Sequence, residues 1–204
     1  MCAFESQRSR RYFQSLLHEF VNDPHVRSAL MRSKGYCHRH AHLLLEFRDG
    51  LGTAILYHDQ VEGFCRFLGT LAGGSSTRSR AKASSRWKDR ETCPACRQQW
   101  KHRGYFVETL VAGLREPDPD MVAAWEKCPG LCVPHFLLAL DEDKEGGATE
   151  RLVAHQARRF SALLEELEEF CRKQDYRFRG EPPGKEVDSW RRAVEMMTGN
   201  RGLF

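Results

Sequence analysis

Apolar residues along this chain recur at steps of three and four, and no stretch alternates convincingly with a period of two, so helices are expected throughout. Phe13, Leu16, Leu17 and Phe20 mark the first apolar stripe. Asp23-Pro24 then starts a short helix with Val26, Leu30 and Met31, ending near Gly35, since proline suits a first helical position and glycine the residue past the end. Ala41, Leu44 and Leu45 follow, and Asp49-Gly50 breaks the pattern. Ala54, Tyr57, Val61, Phe64, Leu68 and Leu71 then alternate at three and four, a face expected to meet a core.

The same order returns later. Tyr105, Phe106, Leu110 and Val111 form a stripe, Asp118-Pro119 restarts the chain, and Met121, Val122 and Trp125 precede Gly130. Phe136, Leu137, Leu138 and Leu140 come next, then a polar loop, then a long helix with Leu152, Phe160, Leu163, Leu167 and Phe170. Even a local string repeats, Phe64-Cys65-Arg66 and Phe170-Cys171-Arg172. The expectation is an all-α, internally duplicated helical bundle rather than a solenoid, since only two copies exist. Its parts would be a first helical repeat over 1–72, a flexible linker over 73–92, a second repeat over 93–175, and a tail with a short helix over 176–204.

Charge refines that division. Residues 73–92 hold six Lys/Arg against two Asp/Glu, which accounts for the whole formal net charge of +4. Rich in Gly, Ser and Arg and poor in apolar residues, the segment reads as a solvated spacer. A weaker alternative is a basic, Trp87-bearing contact to nucleic acid. With 41% hydrophobic and 29% charged residues, the composition is that of an ordinary globular protein. The longest run without Asp, Glu, Lys or Arg is Cys128 to Leu140, 13 residues, too short to span a bilayer. Glu5, Arg8, Arg10 and Arg11 leave no apolar leader, so a cytoplasmic protein is expected, where eight cysteines favour metal ligation over disulfides.

The chemistry lies in two tight pairs. Cys93-Pro94-Ala95-Cys96 and Cys132-Val133-Pro134-His135 each aim two ligand side chains at one point, and three thiolates with one imidazole suit a tetrahedral structural zinc. Cys132 is expected at a helix cap, Pro134 in the first turn and His135 one turn along. Cys2 and Cys37 with His40 echo that arrangement, at a step of 35 residues against 36 from Cys96 to Cys132. The expectation is therefore one complete site, Cys93, Cys96, Cys132 and His135, and one incomplete site, Cys2, Cys37 and His40. The missing ligand would come from an in-frame Cys-Pro encoded upstream of Met1. A substitute from His38, His42 or Cys65, or an open catalytic position, are the alternatives.

These motifs, in this order, resemble an uncharacterised bacterial and archaeal family classed as a domain of unknown function, with paired Cys-Pro-x-Cys and Gly-x-Cys-x-x-His motifs. The matching residues are Cys2, Gly35-Tyr36-Cys37 with His40, Cys93-Pro94-Ala95-Cys96 and Gly130-Leu131-Cys132-Val133-Pro134-His135, with later blocks at Leu51 to Tyr57, Asp175 to Phe178 and Trp190-Arg191. The departure is the first cysteine of the first motif. The resemblance implies no established activity.

Competing chemistry is thinner. An iron–sulfur centre could use the same thiolates. A redox dithiol at Cys93 and Cys96 would leave Cys132 and His135 unexplained. Tyr57-His58-Asp59 reads as a packed pair rather than an acid–base couple, Cys65 and Cys171 as core filling, and Glu165 to Glu169 as a solvated face. Gly73-Gly74-Ser75-Ser76 lacks the lysine of a phosphate cradle. The sequence thus points to a non-enzymatic zinc protein, with one ion and room for a second, and with a protein or nucleic acid as partner. A thiol redox protein, or an enzyme using the three-ligand site, stands as the alternative; no catalytic residue is assigned.

Overall fold

Both Asp-Pro steps start helices as expected: the Asp23 carboxylate accepts from the backbone N–H groups of His25 and Val26, and Asp118 from those of Asp120 and Met121. The computed structural model describes residues 1–73, 76–178 and 180–204; Gly74 and Ser75, in the expected linker, and Arg179, in the tail, lie outside the described residues. Among the described residues there are ten α-helices and no strand. They are α1 (Cys2–Ser15, continued by a π-helical turn Leu16–Phe20), α2 (Pro24–Arg32), α3 (His38–Leu45), α4 (Gly50–Ala72), α5 (Thr77–Lys88), α6 (Pro94–Arg115), α7 (Pro119–Lys127), α8 (Val133–Glu142), α9 (Thr149–Lys173) and α10 (Ser189–Thr198). No helix of the described residues is long and apolar enough to cross a membrane.

The chain forms two units, Gln7–Lys101, and Met1–Ser6 with His102–Phe204. This differs from the expected boundaries at 72, 92 and 175. The reason lies in α6, one uninterrupted helix that buries its ends in separate cores: Ala95 in that of the first unit, Val107, Val111 and Leu114 in that of the second. α1 is shared in the same way, residues 2–6 going to one unit and 7–15 to the other.

In the unit 7–101, Phe13, Leu16, Leu30, Tyr36, Leu44 and Leu56 are buried around Cys93 and Ala95. Each such large side chain contributes about 1.5–3 kcal/mol by leaving water. The stripe on α4 departs from its expected role. Leu56 is buried, but Val61, Phe64 and Leu68 stand exposed, since α4 outruns the core its first turns close over. Residues 77–88, expected as part of a flexible linker, form α5 instead. Ser76 and Ser79 cap its start reciprocally, and Trp87 packs its ring 4.9 Å from that of Phe67 and 5.1 Å from that of Phe64. Arg, Lys and Ala are good helix formers, and one aromatic anchor supplies the packing that composition concealed.

In the other unit, Val107, Val111, Leu114, Trp125, Leu131, Ala139, Ala148 and Leu152 form the core, and α10 packs against α8 and α9. The turn from α8 to α9 hangs on Asp143, whose carboxylate accepts from the N–H groups of Ala148 (2.8 Å) and Thr149 (2.7 Å), from the Thr149 hydroxyl, and from Arg115. Asp143→Ala strands these buried donors, so this unit should lose about 2–3 kcal/mol, read as a lower urea midpoint at unchanged slope. A midpoint within error of wild type would show the turn to be self-supporting.

Candidate metal centres

Each Cys-x-x-His pair sits where its helix begins. Cys132 caps α8, with Pro134 in the first turn and His135 one turn on, as the spacing led us to expect, and Cys37 caps α3 in the same way. Before each lies a glycine at positive φ, Gly35 (+91°) and Gly130 (+95°), a conformation side-chain-bearing residues rarely adopt. Gln156 fixes the second turn, accepting from Leu131 N–H at 3.0 Å and donating to its carbonyl at 2.6 Å. Helix-start geometry aims backbone N–H groups at the sulfurs: those of His40 and His135 donate towards Cys37 and Cys132, and those of Ala95 and Cys96 towards Cys93.

The pairs meet in a different combination from the one expected. In the unit 7–101, ligand atoms of Cys37, His40, Cys93 and Cys96 all lie within 4.8 Å of one another. His40 Nδ1 is 3.3 Å from the sulfurs of Cys37 and Cys96 and 3.7 Å from that of Cys93, and the Cys37 and Cys96 sulfurs are 3.6 Å apart. Tetrahedral bonds of about 2.3 Å to sulfur and about 2.0 Å to nitrogen set edges of roughly 3.5–3.8 Å between donors. The set therefore fits a single ion. Arg39 adds positive charge, its guanidinium 3.9 Å from the Cys96 sulfur and hydrogen-bonded to Gln99 at 2.8 Å.

In the other unit Cys2, Cys132 and His135 converge, again within 4.8 Å. The sulfurs are 3.4 Å apart, and His135 Nδ1 is 3.4 Å from Cys2 and 3.0 Å from Cys132. The assignment of Cys132 and His135 to Cys93 and Cys96, and of Cys2 to Cys37 and His40, is corrected: the two Cys-x-x-His pairs have exchanged partners. Behind this second set stands a relay that sequence reasoning missed. The far nitrogen of His135 lies 2.9 Å from Glu5 Oε1, and Glu5 takes a two-point bond from Arg103 at 2.7 and 3.0 Å. Arg103 also donates to the Leu203 carbonyl at 2.9 Å and lies 4.1 Å over the Phe204 ring. Glu5 and His135 are fully enclosed, the outer-shell pattern that fixes a ligating imidazole. Glu5 stands three residues after Cys2 on α1, the one trace of the relay in the sequence.

The electrostatics of both clusters would suit a bound cation. Burial, then the charge of Cys93, push Cys96 up to about 12; burial raises Cys93, and burial with Arg39 holds His40 down at about 4. Burial also pushes Cys37 up, but hydrogen bonds from the His40 backbone and Cys96 bring it below its ordinary value. The hydrogen bond between the Cys2 and Cys132 thiols, the largest influence, holds Cys2 down at about 4 and raises Cys132. Burial presses His135 down, yet hydrogen bonds with Cys2 and Glu5 leave it raised. In each cluster at least one thiol is pushed above its ordinary value, and a divalent ion held there would favour the thiolate forms and release protons as it binds.

Other candidates separate from these clusters. His38 and His42 pair with each other at 4.4 Å between rings, and Cys65 and Cys171, expected in the core, are exposed. His58, Asp59 and Glu62 also lie close together, but on the surface, and Asp59 already holds Arg27 at 2.6 Å.

A family model described as Family of unknown function (DUF6062) matches residues 1–202. The chain is 22% identical to an uncharacterised 23.9 kDa protein encoded in the xynA 3′ region of Caldicellulosiruptor sp. (strain Rt8B.4), over 98% of this chain and 95% of that protein. No solved structure matches.

Proposed function

We propose, for a chain that belongs to this family of unknown function, that it is a zinc-binding, non-enzymatic interaction protein whose helical units are each held by one ion. The observation that carries this reading is the four-donor cluster of Cys37, His40, Cys93 and Cys96. Its short edges suit one tetrahedral ion and leave no space for the several irons and sulfides of a cluster, which favours zinc over iron–sulfur. Three thiolates, an imidazole and a dication sum to a single negative charge, which Arg39 offsets.

The repeated order of motifs supports an internal duplication in which each site takes its Cys-x-x-His from one copy and its partner cysteines from the other. The test is metal content of the purified chain by elemental analysis. Two zincs per chain, falling to one on mutating either Cys-x-x-His pair, are expected. A metal-free, fully folded protein, or visible absorption from a cluster, would refute the reading.

A second reading concerns the partner, and α5 favours it. Arg78, Lys82 and Arg86 lie four residues apart, exposed on the face of α5 away from Trp87. Because the apolar face of α5 is spent on α4, the helix is suited to a phosphate backbone rather than a lipid surface. Neutralising the three as Arg78→Gln, Lys82→Gln and Arg86→Gln should weaken binding of a random-sequence oligonucleotide. The slope of log affinity against log salt should flatten by roughly 2–3, near 0.7–0.9 for each phosphate that is no longer neutralised. Fluorescence anisotropy at several salt concentrations reads this, and no binding by the wild type at low salt would end the idea.

A further inference from the structure

We infer that α9 is a self-association surface, on which two copies of this chain pair antiparallel about a two-fold axis at the level of Ala162. The metal centres take no part in the contact, so it stands or falls apart from the metal reading.

Two stripes run along α9. One, with Leu152, Gln156 and Leu163, is buried within its own unit. The other consists of Val153, Ala157, Phe160, Leu164, Leu167 and Cys171, which step by four and three in turn, the spacing of a coiled-coil seam. It extends about 27 Å at roughly 1.5 Å per residue. This seam meets water: Val153 is 46% and Leu164 57% exposed, Ala157 and Cys171 are exposed, and Phe160 and Leu167 are half-buried. A groove of about 330 Å³ opens along it, between Phe160, Leu164 and Leu167 of α9 and Ala193 and Met197 of α10. Trp190 and Val194, more than half exposed, share the helix face of Met197 and lengthen the apolar rim. A continuous apolar strip of this kind marks an interaction surface.

Its own residues indicate the occupant. Laid antiparallel, the seam complements itself: Leu164 meets Phe160 of the second copy, Leu167 meets Ala157, and Cys171 meets Val153. A parallel pair would set Ala157 against Ala157 and Phe160 against Phe160, a gap next to a crowded layer. Charge selects the same orientation. The exposed flank beside the seam carries Arg151 and Arg158 in its first half, Glu165 and Glu168 in its second. Arg172, further on, is already neutralised by Glu169 and Glu181. Antiparallel pairing brings Arg158 near Glu165 of the second copy, twice by symmetry, whereas parallel pairing brings like to like. Arg158 also holds Glu126 of its own chain at 2.7 Å, and a guanidinium has donors for both. Rim charges of this sort set orientation and register. The contact is isologous and closes as a dimer, in which α9 and α10 of both chains form a four-helix bundle.

Sedimentation of the purified full chain tests this, and at micromolar concentration it should run as a dimer. Leu164→Glu places a carboxylate in the contact from both chains, so it should weaken dimerisation about a hundredfold or more. Circular dichroism and metal content should stay as in the wild type, because Leu164 is exposed in the single chain. Leu164→Gln serves if the charge impairs folding. Register is read separately: in Val153→Cys a short bismaleimide should join the substituted position to Cys171 of the second copy, identified by peptide mass spectrometry. A monomeric wild type, a dimer that Leu164→Glu leaves intact, a link from Cys171 to Cys171, or a dimer without the link from 153 to 171 overturns the inference.

Discussion

Removing metal from Cys37, His40, Cys93 and Cys96 is expected to melt the unit formed by residues 7–101. The argument is one of magnitude. A structural zinc contributes an apparent ~10–16 kcal/mol, as much as or more than the whole net stability of a typical domain, about 5–15 kcal/mol. Without the ion, three thiols and an imidazole remain inside the wall of the core, where burial opposes ionisation of Cys93 and Cys96 and Cys93 is buried beside Phe13, Tyr36 and Leu56. Chelation or Cys93→Ser should therefore lower the thermal midpoint by about 20 °C or more, since each kcal/mol is worth about 4–8 °C in a unit of this size. Circular dichroism with elemental analysis checks it, and added zinc should restore the chelated wild type but not the variant. Full helicity and an unchanged midpoint in verifiably metal-free protein would sink the claim.

Replacing Glu5 should be nearly as damaging, through a different route. The carboxylate is enclosed between His135 and Arg103, so Glu5→Ala leaves a largely buried guanidinium without its counter-charge, at a cost of about 3–5 kcal/mol. It also frees the His135 ring to turn away from Cys2 and Cys132. Glu5→Gln keeps the shape and one acceptor while losing the charge. Affinity for the second ion should fall about 10–100-fold in Glu5→Gln and further in Glu5→Ala, measured by competition with a chromophoric chelator. The first ion serves as internal control. Equal loss at both ions would mean general unfolding, and no loss at either would mean that Glu5 does not orient the ligand.

Much of this was legible in the residues, and the part that was not has a physical explanation. Helical periodicity, the Asp-Pro starts and the placing of Cys132 at a helix cap follow from local rules, and local rules held. Which pair meets which does not follow from spacing. Closing the 36 residues from Cys96 to Cys132 or the 53 from His40 to Cys93 differs by only about 0.3 kcal/mol in chain entropy. Packing decides instead, because the two ends of α6 bury in different cores. Arg103 and Gln99 were unreadable for a similar reason: each is an unremarkable polar residue until the fold sets it beside a ligand. On α4, periodicity correctly predicted a helix but not which turns find a partner, and Val61, Phe64 and Leu68 found none from the core.

The crossed wiring of the two centres bears on how such a chain can be divided by evolution or by the laboratory. A break near residue 75 leaves Cys2, Cys37 and His40 on one piece and Cys93, Cys96, Cys132 and His135 on the other, so neither piece owns a whole centre. A gene encoding either piece alone would leave each cluster without part of its donors, so recombination could not pass the two pieces on as independent modules.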